Sequence, residues 1–189
     1  MGSELTPAAS PEPDAAARAA SRVVPGRECG TCTLCCKVMG IEELSKPPGV
    51  WCPHCVRGVG CGIYETRPAE CRVFFCHWML EKNLPAEWKP ERAKFALVTS
   101  LGGHITAFVD QGFPSAWRNA PYYEVLKRWA LEGTRAKPAR FVLIRIGTRG
   151  IVILPDREID IGTVGPNMQI ELESDARGRV NVRKVTRPG

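Results

Sequence analysis

The sequence predicts an α+β protein: a cysteine-rich lobe followed by a β-rich, mainly antiparallel part with one clear helix. Three observations carry this. All nine cysteines fall between Cys29 and Cys76 of a 189-residue chain. From residue 140 onward, short runs of alternating apolar and polar residues are separated by turn signals, the period of half-buried strands. Before them, Tyr122, Val125, Leu126, Trp129 and Ala130 recur at i, i+3, i+4, i+7 and i+8, which is one face of a helix. The length suits one domain, or one with a small appended module. The predicted divisions are a disordered tail at residues 1–26, the cysteine-rich lobe at 27–92, and the β-rich part at 93–189 with its helix at 121–132.

In the tail, Pro7, Pro11, Pro13 and Pro25 are interspersed with Ala, Ser and charge, and large apolar residues are scarce before Val23 and Val24. Such a composition buries too little to offset its ordering entropy; residues 15–20 suit at most a helical turn or two. Between the cysteine groups, Ile41, Leu44 and Val50 with Lys46-Pro47-Pro48-Gly49 predict a short helical turn and then a reversal. Thr66 before Arg67-Pro68 reads as a helix start, Thr capping and Pro suiting the first turn. Cys71 and Cys76 do not share a face of an ideal helix, so the helix should break or bend between them. Val73, Phe74, Phe75, Trp78, Met79 and Leu80 supply apolar packing for the lobe. Residues 94–99 and 105–109 are strand-like and joined by Leu101-Gly102-Gly103-His104, a hairpin signal. The helix at 121–132 has Pro121 at its start and Gly133 as its stop. Residues 141–146 and 151–154 flank a turn at Gly147-Thr148-Arg149-Gly150. A short strand follows at 159–161. Residues 168–173 alternate cleanly, and Val180 and Val182 repeat the alternation after Asp175-Ala176-Arg177-Gly178.

The cysteines are Cys29, Cys32, Cys35 and Cys36, then Cys52, Cys55, Cys61, Cys71 and Cys76. Disulfides fit poorly: the count is odd, no secretory signal precedes the cluster, and a bridge between adjacent Cys35 and Cys36 would be strained. Simple burial of thiols would not call for Cys-x2-Cys spacing, seen at 29/32, 32/35 and 52/55. That spacing makes a tight turn that can aim two sulfurs at one ion, which reads the lobe as metal-binding. Four thiolates suit tetrahedral zinc. The Cys-x2-Cys-x2-Cys run equally suits iron–sulfur clusters. Zinc is preferred, because the fourth cysteine follows immediately rather than after three residues and before Pro, as in bacterial ferredoxins. The Cys-x3-Cys-x2-Cys order of radical enzymes that use S-adenosylmethionine is also absent. Side chains of neighbours such as Cys35 and Cys36 point apart when the backbone is extended, which favours a compact polynuclear site or two close sites. His54 and His77 are candidate imidazole ligands, although eight sulfurs already fill two tetrahedra. Arg67 and Arg72 either balance thiolate charge or pair with Glu65 and Glu70.

The layout resembles the YkgJ-type CxxCxxCC family, a zinc- or iron-chelating domain. Its pattern is matched by Cys29, Cys32, Cys35 and Cys36, then Cys52-Pro53, then Cys61-Gly62-Ile63-Tyr64-Glu65-Thr66-Arg67-Pro68-Ala69-Glu70-Cys71-Arg72, and finally Cys76. The resemblance covers roughly residues 29–80 and implies metal chelation by eight cysteines. Cys55 stands where the family more often has an apolar residue, which leaves it peripheral. Some longer flagellin lysine methylases share this type of cysteine pattern, so an iron–sulfur redox or protein-modification enzyme is the alternative reading. A zinc-scaffolded adaptor for protein or nucleic acid is a further one.

The net charge is +6. Basic residues gather at Lys127, Arg128, Arg135, Lys137, Arg140, Arg145 and Arg149, and again at Arg177, Arg179, Arg183, Lys184 and Arg187. The stretch from Asp156 to Asp175 between them is acidic. A basic surface can serve nucleic acid, but aromatic interleaving and a recognition motif are missing, and the acidic stretch can pair with the basic ones. No phosphate-cradling glycine motif, dinucleotide or S-adenosylmethionine fingerprint, or nucleophile–base pair stands out, so catalysis is left open. No apolar run has the length of a membrane span and no signal opens the chain. The expectation is a cytoplasmic protein whose partners are metal ions, with room for a protein partner.

Overall fold

In the computed structural model, which describes residues 13–100, 102–165, 168–176 and 179–186, helices and a mostly antiparallel mixed sheet make an α+β fold. The segment predicted to be a disordered tail lies outside the described residues up to position 12. Beyond that it differs from the prediction: α1 (Pro13–Ser21) is a helix. Its alanines have the highest helix propensity, and the chain after it is tied down. The Val24 N–H donates to the Met79 carbonyl at 2.9 Å. The Arg27 guanidinium donates to the carbonyls of Trp78, Glu81, Lys82 and Leu84 and lies 4.7 Å from the centre of the Trp78 ring. Four carbonyl acceptors between residues 78 and 84 make Arg27 an anchor at the start of the lobe.

The lobe is built from short pieces. They are α2 (Cys35–Val38), the two-stranded antiparallel ladder of β1 (Cys55–Val56) and β2 (Gly60–Cys61), α3 (Ala69–Val73), α4 (His77–Leu80) and α5 (Pro90–Ala93). The helical turn predicted after Lys37 is instead a tight loop closed by Ile41 and Lys46, whose N–H groups donate to each other's carbonyls at 2.9 Å. Thr66 is not a cap. It closes a turn onto the Ile63 carbonyl, and Pro68 occupies the position before α3 with no side-chain cap. The predicted break between Cys71 and Cys76 is present: Phe74 is extended and Cys76 precedes the first residue of α4.

The sheet contains β3 (Phe95–Thr99) and β4 (Ile105–Val109), then, after α6 (Tyr122–Arg135), β5 (Val142–Ile146), β6 (Arg149–Ile153) and β7 (Glu158–Thr163). Their spatial order equals their sequence order. All neighbours are antiparallel except β4 and β5. The helix carries the chain back across the sheet between those two, and such a crossover is what joins parallel strands. The hairpin of β8 (Met168–Ser174) and β9 (Val180–Thr186) is a separate two-stranded sheet. Leu101 of the first predicted turn, and Arg177 and Gly178 of the last, lie outside the described residues.

Alternation divides the core between two faces. On one, Phe95, Leu97, Ala107, Val109, Val142, Ile144, Ile151 and Ile153 pack under Leu126 and Ala130 of α6, with Trp88, Trp117 and Tyr122. The opposite face is shared. Its β3–β4 half, with Ala96 and Phe108, is covered by Leu34 and Val38 of the lobe. Its other half, with Leu143, Val152 and Ile161, is covered by Met168, Ile170, Leu172, Val180 and Val182 of the hairpin. Burial of this kind stabilises by about 1.5–3 kcal/mol per large side chain.

Helix α6 runs through Gly133, which was predicted to stop it. A Cβ there would meet the Arg140 carbonyl oxygen at 2.6 Å, so the glycine serves the close return of residues 136–140. The Arg140 N–H donates to the Gly133 carbonyl at 2.9 Å. Arg149 pairs with Asp160, Arg179 with Asp156 and Arg183 with Glu171 and Glu173, joining the basic groups to the acidic stretch; Arg157 pairs with Asp156 within that stretch, and Arg118, outside the basic groups, with Glu158. No helix among the described residues is long and apolar enough to cross a membrane.

Candidate metal centre

Each cysteine is placed by a local backbone device. The Cys32 N–H donates to the Cys29 carbonyl at 2.9 Å, closing a turn in which Gly30 has φ of 52°. Cys35 and Cys36 open α2, which Leu34 and Val38 seat on the sheet. The Cys52 N–H donates to the Cys36 carbonyl at 2.9 Å, bringing the second motif against the first. The Cys55 N–H donates to the Cys52 carbonyl at 3.1 Å, and Cys55 stands opposite Cys61 in the β1–β2 ladder. Cys71 is carried by α3, and Cys76 precedes α4. The α3 segment is tied back by two carboxylates: Glu70 accepts from the N–H groups of Glu42 and Glu43, and Glu43 from that of Ala69. Arg67 and Arg72 therefore do not claim Glu70 as a salt-bridge partner.

All nine cysteines are free thiols, with Cys52 and Cys76 buried and only Cys29 exposed. Cys35 and Cys36 influence each other's charge, as do Cys36 and Cys55, and Thr33 acts on Cys55. The contact with Cys35 is the main reason the Cys36 thiol is brought down to about 6, helped by Cys55 and the nearby Lys46 ammonium. Cys35 is pushed up, by that same contact first and by burial second. Burial is the leading cause that raises Cys55, Cys71 and Cys76 to about 11 each, and it also raises Cys29 and Cys32.

Cations already surround the sulfurs. Lys46 is only 6 % exposed. Its ammonium donates to the carbonyls of Lys37, Met39 and Pro47, and among the described residues no carboxylate pairs with it. It lies close enough to Cys52, Cys36, Cys35 and Cys71 for their charges to act on it. Arg67 and Lys89 stand beside Cys29, with Lys89 already paired to Glu91 at 3.1 Å. The Arg67 guanidinium lies 3.8 Å from the centre of the Tyr64 ring, and its Nε is buried without a hydrogen-bond partner. A cationic group left without an acceptor beside a thiol fits a centre in which that thiol becomes a thiolate.

As arranged, no set of three or more His, Cys, Asp or Glu among the described residues is gathered closely enough to hold an ion. The donors are soft, free and ringed by cations, which suits zinc or iron–sulfur chemistry, but they stand in pairs and short chains rather than closed shells. The two histidines fare differently from the sulfurs. His77 Nδ1 is 3.0 Å from the Thr99 hydroxyl and its ring meets Trp129 edge-on at 5.9 Å, which points it at the sheet and α6. The His54 carbonyl accepts from the Gly62 N–H at 2.8 Å, a backbone role that needs no imidazole.

Sequence reasoning missed Lys46, read only as part of a turn, and Thr33, the buried hydroxyl that touches Cys55. It also missed Trp51, whose ring takes the Arg57 guanidinium at 4.8 Å and the Lys37 ammonium at 5.7 Å. Trp51 lines a cleft of about 350 Å³ with Thr31, Thr33, Glu91, Lys94 and Asp110, between the lobe and the sheet. No family model matches the chain, and no curated protein or solved structure does either.

Proposed function

We propose that this is a metal-binding protein whose cysteine thiolates chelate zinc or iron, with zinc preferred. The observation that carries the reading is a buried ammonium, Lys46, with no carboxylate partner among the described residues, set among free thiols of which Cys52, Cys36, Cys35 and Cys71 act on its charge. Buried lysines need a compensating negative charge, and thiolates of a metal centre supply it. The Cys-x2-Cys spacing and the resemblance to the YkgJ-type pattern support the same conclusion. Cys29, Cys32, Cys35, Cys36, Cys52, Cys61, Cys71 and Cys76 would be the ligands, with Cys55 beside them. The bound ion would supply positive charge that lets the thiols ionise and would add its binding free energy to the folding of the lobe.

The test is purification without oxygen, followed by the visible spectrum and measurement of zinc, iron and sulfide on one sample. A colourless protein carrying zinc is the expected result. A brown protein with matching iron and sulfide transfers the same residues to the iron–sulfur reading, which the Cys29, Cys32, Cys35 run favours, and brings redox or protein-modification chemistry forward. A protein that retains neither metal when supplied with it under reducing conditions refutes chelation. Arg149, Arg179 and Arg183 pair with the acidic stretch, which weighs against a nucleic-acid partner at those positions, and a reducing compartment such as the cytoplasm is the setting in which the thiols stay available.

A further inference from the structure

Two clefts adjoin where the lobe meets the sheet. The cleft of about 350 Å³ lined by Trp51, and a second of about 480 Å³ that runs past Ser115 and Asn119, share Lys94 and Phe113 in their walls. Together they make one groove, and no cysteine lines it. The large apolar side chains exposed among the described residues are Val50, Val56, Val59, Tyr64 and Phe113. Phe113, 52 % exposed, lies in the groove. Val50 adjoins Trp51 in sequence, and Val56 and Val59 flank Arg57-Gly58, of which Gly58 lines the groove. Exposed apolar side chains that gather in one place, unlike those scattered singly, mark a surface that meets a partner.

The charge of the groove is one-sided once its ion pairs are set aside. Both acidic residues in its walls are neutralised, Asp110 by Lys37 at 2.5 Å and Glu91 by Lys89 at 3.1 Å. The cations Arg57, Arg92 and Lys94 have no carboxylate partner among the described residues. Two of them lie over aromatic rings: the Arg57 guanidinium is 4.8 Å from the centre of Trp51, and the Lys94 ammonium is 5.3 Å from that of Phe113. A cation seated on a ring is held in place and keeps N–H donors for an incoming carboxylate. The Ser115 hydroxyl and the Asn119 side-chain amide make no hydrogen bond to described residues. Single-stranded nucleic acid stacks its bases on bare aromatic faces, whereas here each ring already has a cation over it.

We propose that this groove docks an acidic, partly apolar peptide segment of a protein partner, its carboxylates meeting Arg57, Arg92 and Lys94 and its apolar side chains lying on Phe113 and the exposed valines. Backbone amides of such a segment match the unengaged hydroxyl and amide of Ser115 and Asn119. Because the groove stands apart from the sulfurs, its role holds whether or not they take metal.

A display library of random peptides, selected on the full chain purified without oxygen and counter-selected on Arg57→Glu/Arg92→Glu, tests this. Both positions are exposed, and the amide NMR spectrum of the variant checks that it folds. The enriched sequences should carry Asp and Glu among apolar residues and bind more weakly as salt rises. For a synthetic copy of one of them, Arg57→Ala and Arg92→Ala should each weaken binding about two- to five-fold, and Phe113→Ala about five-fold or more. Titration should shift the amides of Thr31, Gly58, Lys94, Phe113 and Ser115. No enrichment, enrichment of basic or uncharged sequences, equal binding by the double variant, or shifts elsewhere overturns the proposal. Labelled single-stranded oligodeoxythymidylate is titrated in parallel; tighter binding than the peptide's, with shifts at the same amides, overturns it in favour of nucleic acid. Shifts there that follow protein concentration alone overturn it in favour of a second copy of the chain.

Discussion

Replacing Lys46 with Met keeps the aliphatic stem and removes the ammonium, which separates its charge from its packing. The residue is 6 % exposed and donates to three carbonyls, those of Lys37, Met39 and Pro47. In the metal-free protein two effects oppose. Losing charge-assisted hydrogen bonds costs about 1.5–3 kcal/mol each, while removing a buried ion relieves a desolvation penalty of several kcal/mol. The melting midpoint of the metal-free protein should therefore move little. Under the proposed chelation, Cys36, Cys52 and Cys71 would ligate as thiolates and the ammonium would be their counter-charge. Loss of a partner in the shell around metal ligands weakens binding by about 10- to 100-fold, or about 1.4–2.8 kcal/mol. Zinc titration against a chelator of known affinity measures this, with melting of loaded and stripped protein in parallel. Lys46→Arg, which keeps the charge, should recover part of the affinity. Unchanged zinc affinity in Lys46→Met, with equal falls in both melting points, would show that Lys46 only ties three carbonyls together and would refute the counter-charge argument.

Gly133→Ala should destabilise, against the usual gain of about 1 kcal/mol for this change in a helix, because the new Cβ meets the Arg140 carbonyl oxygen at 2.6 Å; urea unfolding should show a loss of about 1–3 kcal/mol, and a stabilised variant would contradict the close return of the chain. His104 should titrate below its ordinary 6.5, chiefly through burial and secondarily through Arg140. Its ring stacks on Phe141 at 4.0 Å. Since the folded state disfavours the proton, the stabilisation associated with the neutral ring is present above 6.5 and is lost as pH falls from there to the depressed folded value, then levels off. An NMR midpoint for His104 above 6.5 would contradict that direction.

Features set by neighbours along the chain were readable beforehand. The stripe Tyr122, Leu126, Ala130 gave α6, the alternations gave every strand of the sheet to within a few residues, and the five-residue spacing of Cys71 and Cys76 implied the break now seen at Phe74. The spacing of the cysteines gave the turn at Cys29 and Cys32 as well. What escaped depends on partners distant in sequence. Gly133 looks like a helix stop until Arg140 is seen against it, and nothing in the sequence singles out Arg27 until the carbonyls around Glu81 are in place. Parallel pairing of β4 with β5 follows from where α6 deposits the chain, which periodicity does not encode. Lys46 was hidden for a similar reason. A lysine before Pro47-Pro48-Gly49 is ordinary turn chemistry, and only the nearness of Cys52, Cys36, Cys35 and Cys71 makes its charge conspicuous.

The four residues of α2 do two jobs at once. Their inner side is clamped against Ala96 and Phe108 by Val38, with Leu34 just ahead, while Cys35 and Cys36 sit on the same single turn. A turn this short cannot roll to re-aim its sulfurs without lifting Val38, which is 4 % exposed, off the sheet. The β-sheet is in that sense a gauge block for the thiols of Cys35 and Cys36: it fixes their height and bearing. The traffic runs both ways. A strand residue such as Ala96, far in sequence from every cysteine, should register in its amide protection whether the sulfurs above it are filled, and a cavity opened beneath Val38 should loosen ion binding without touching a ligand.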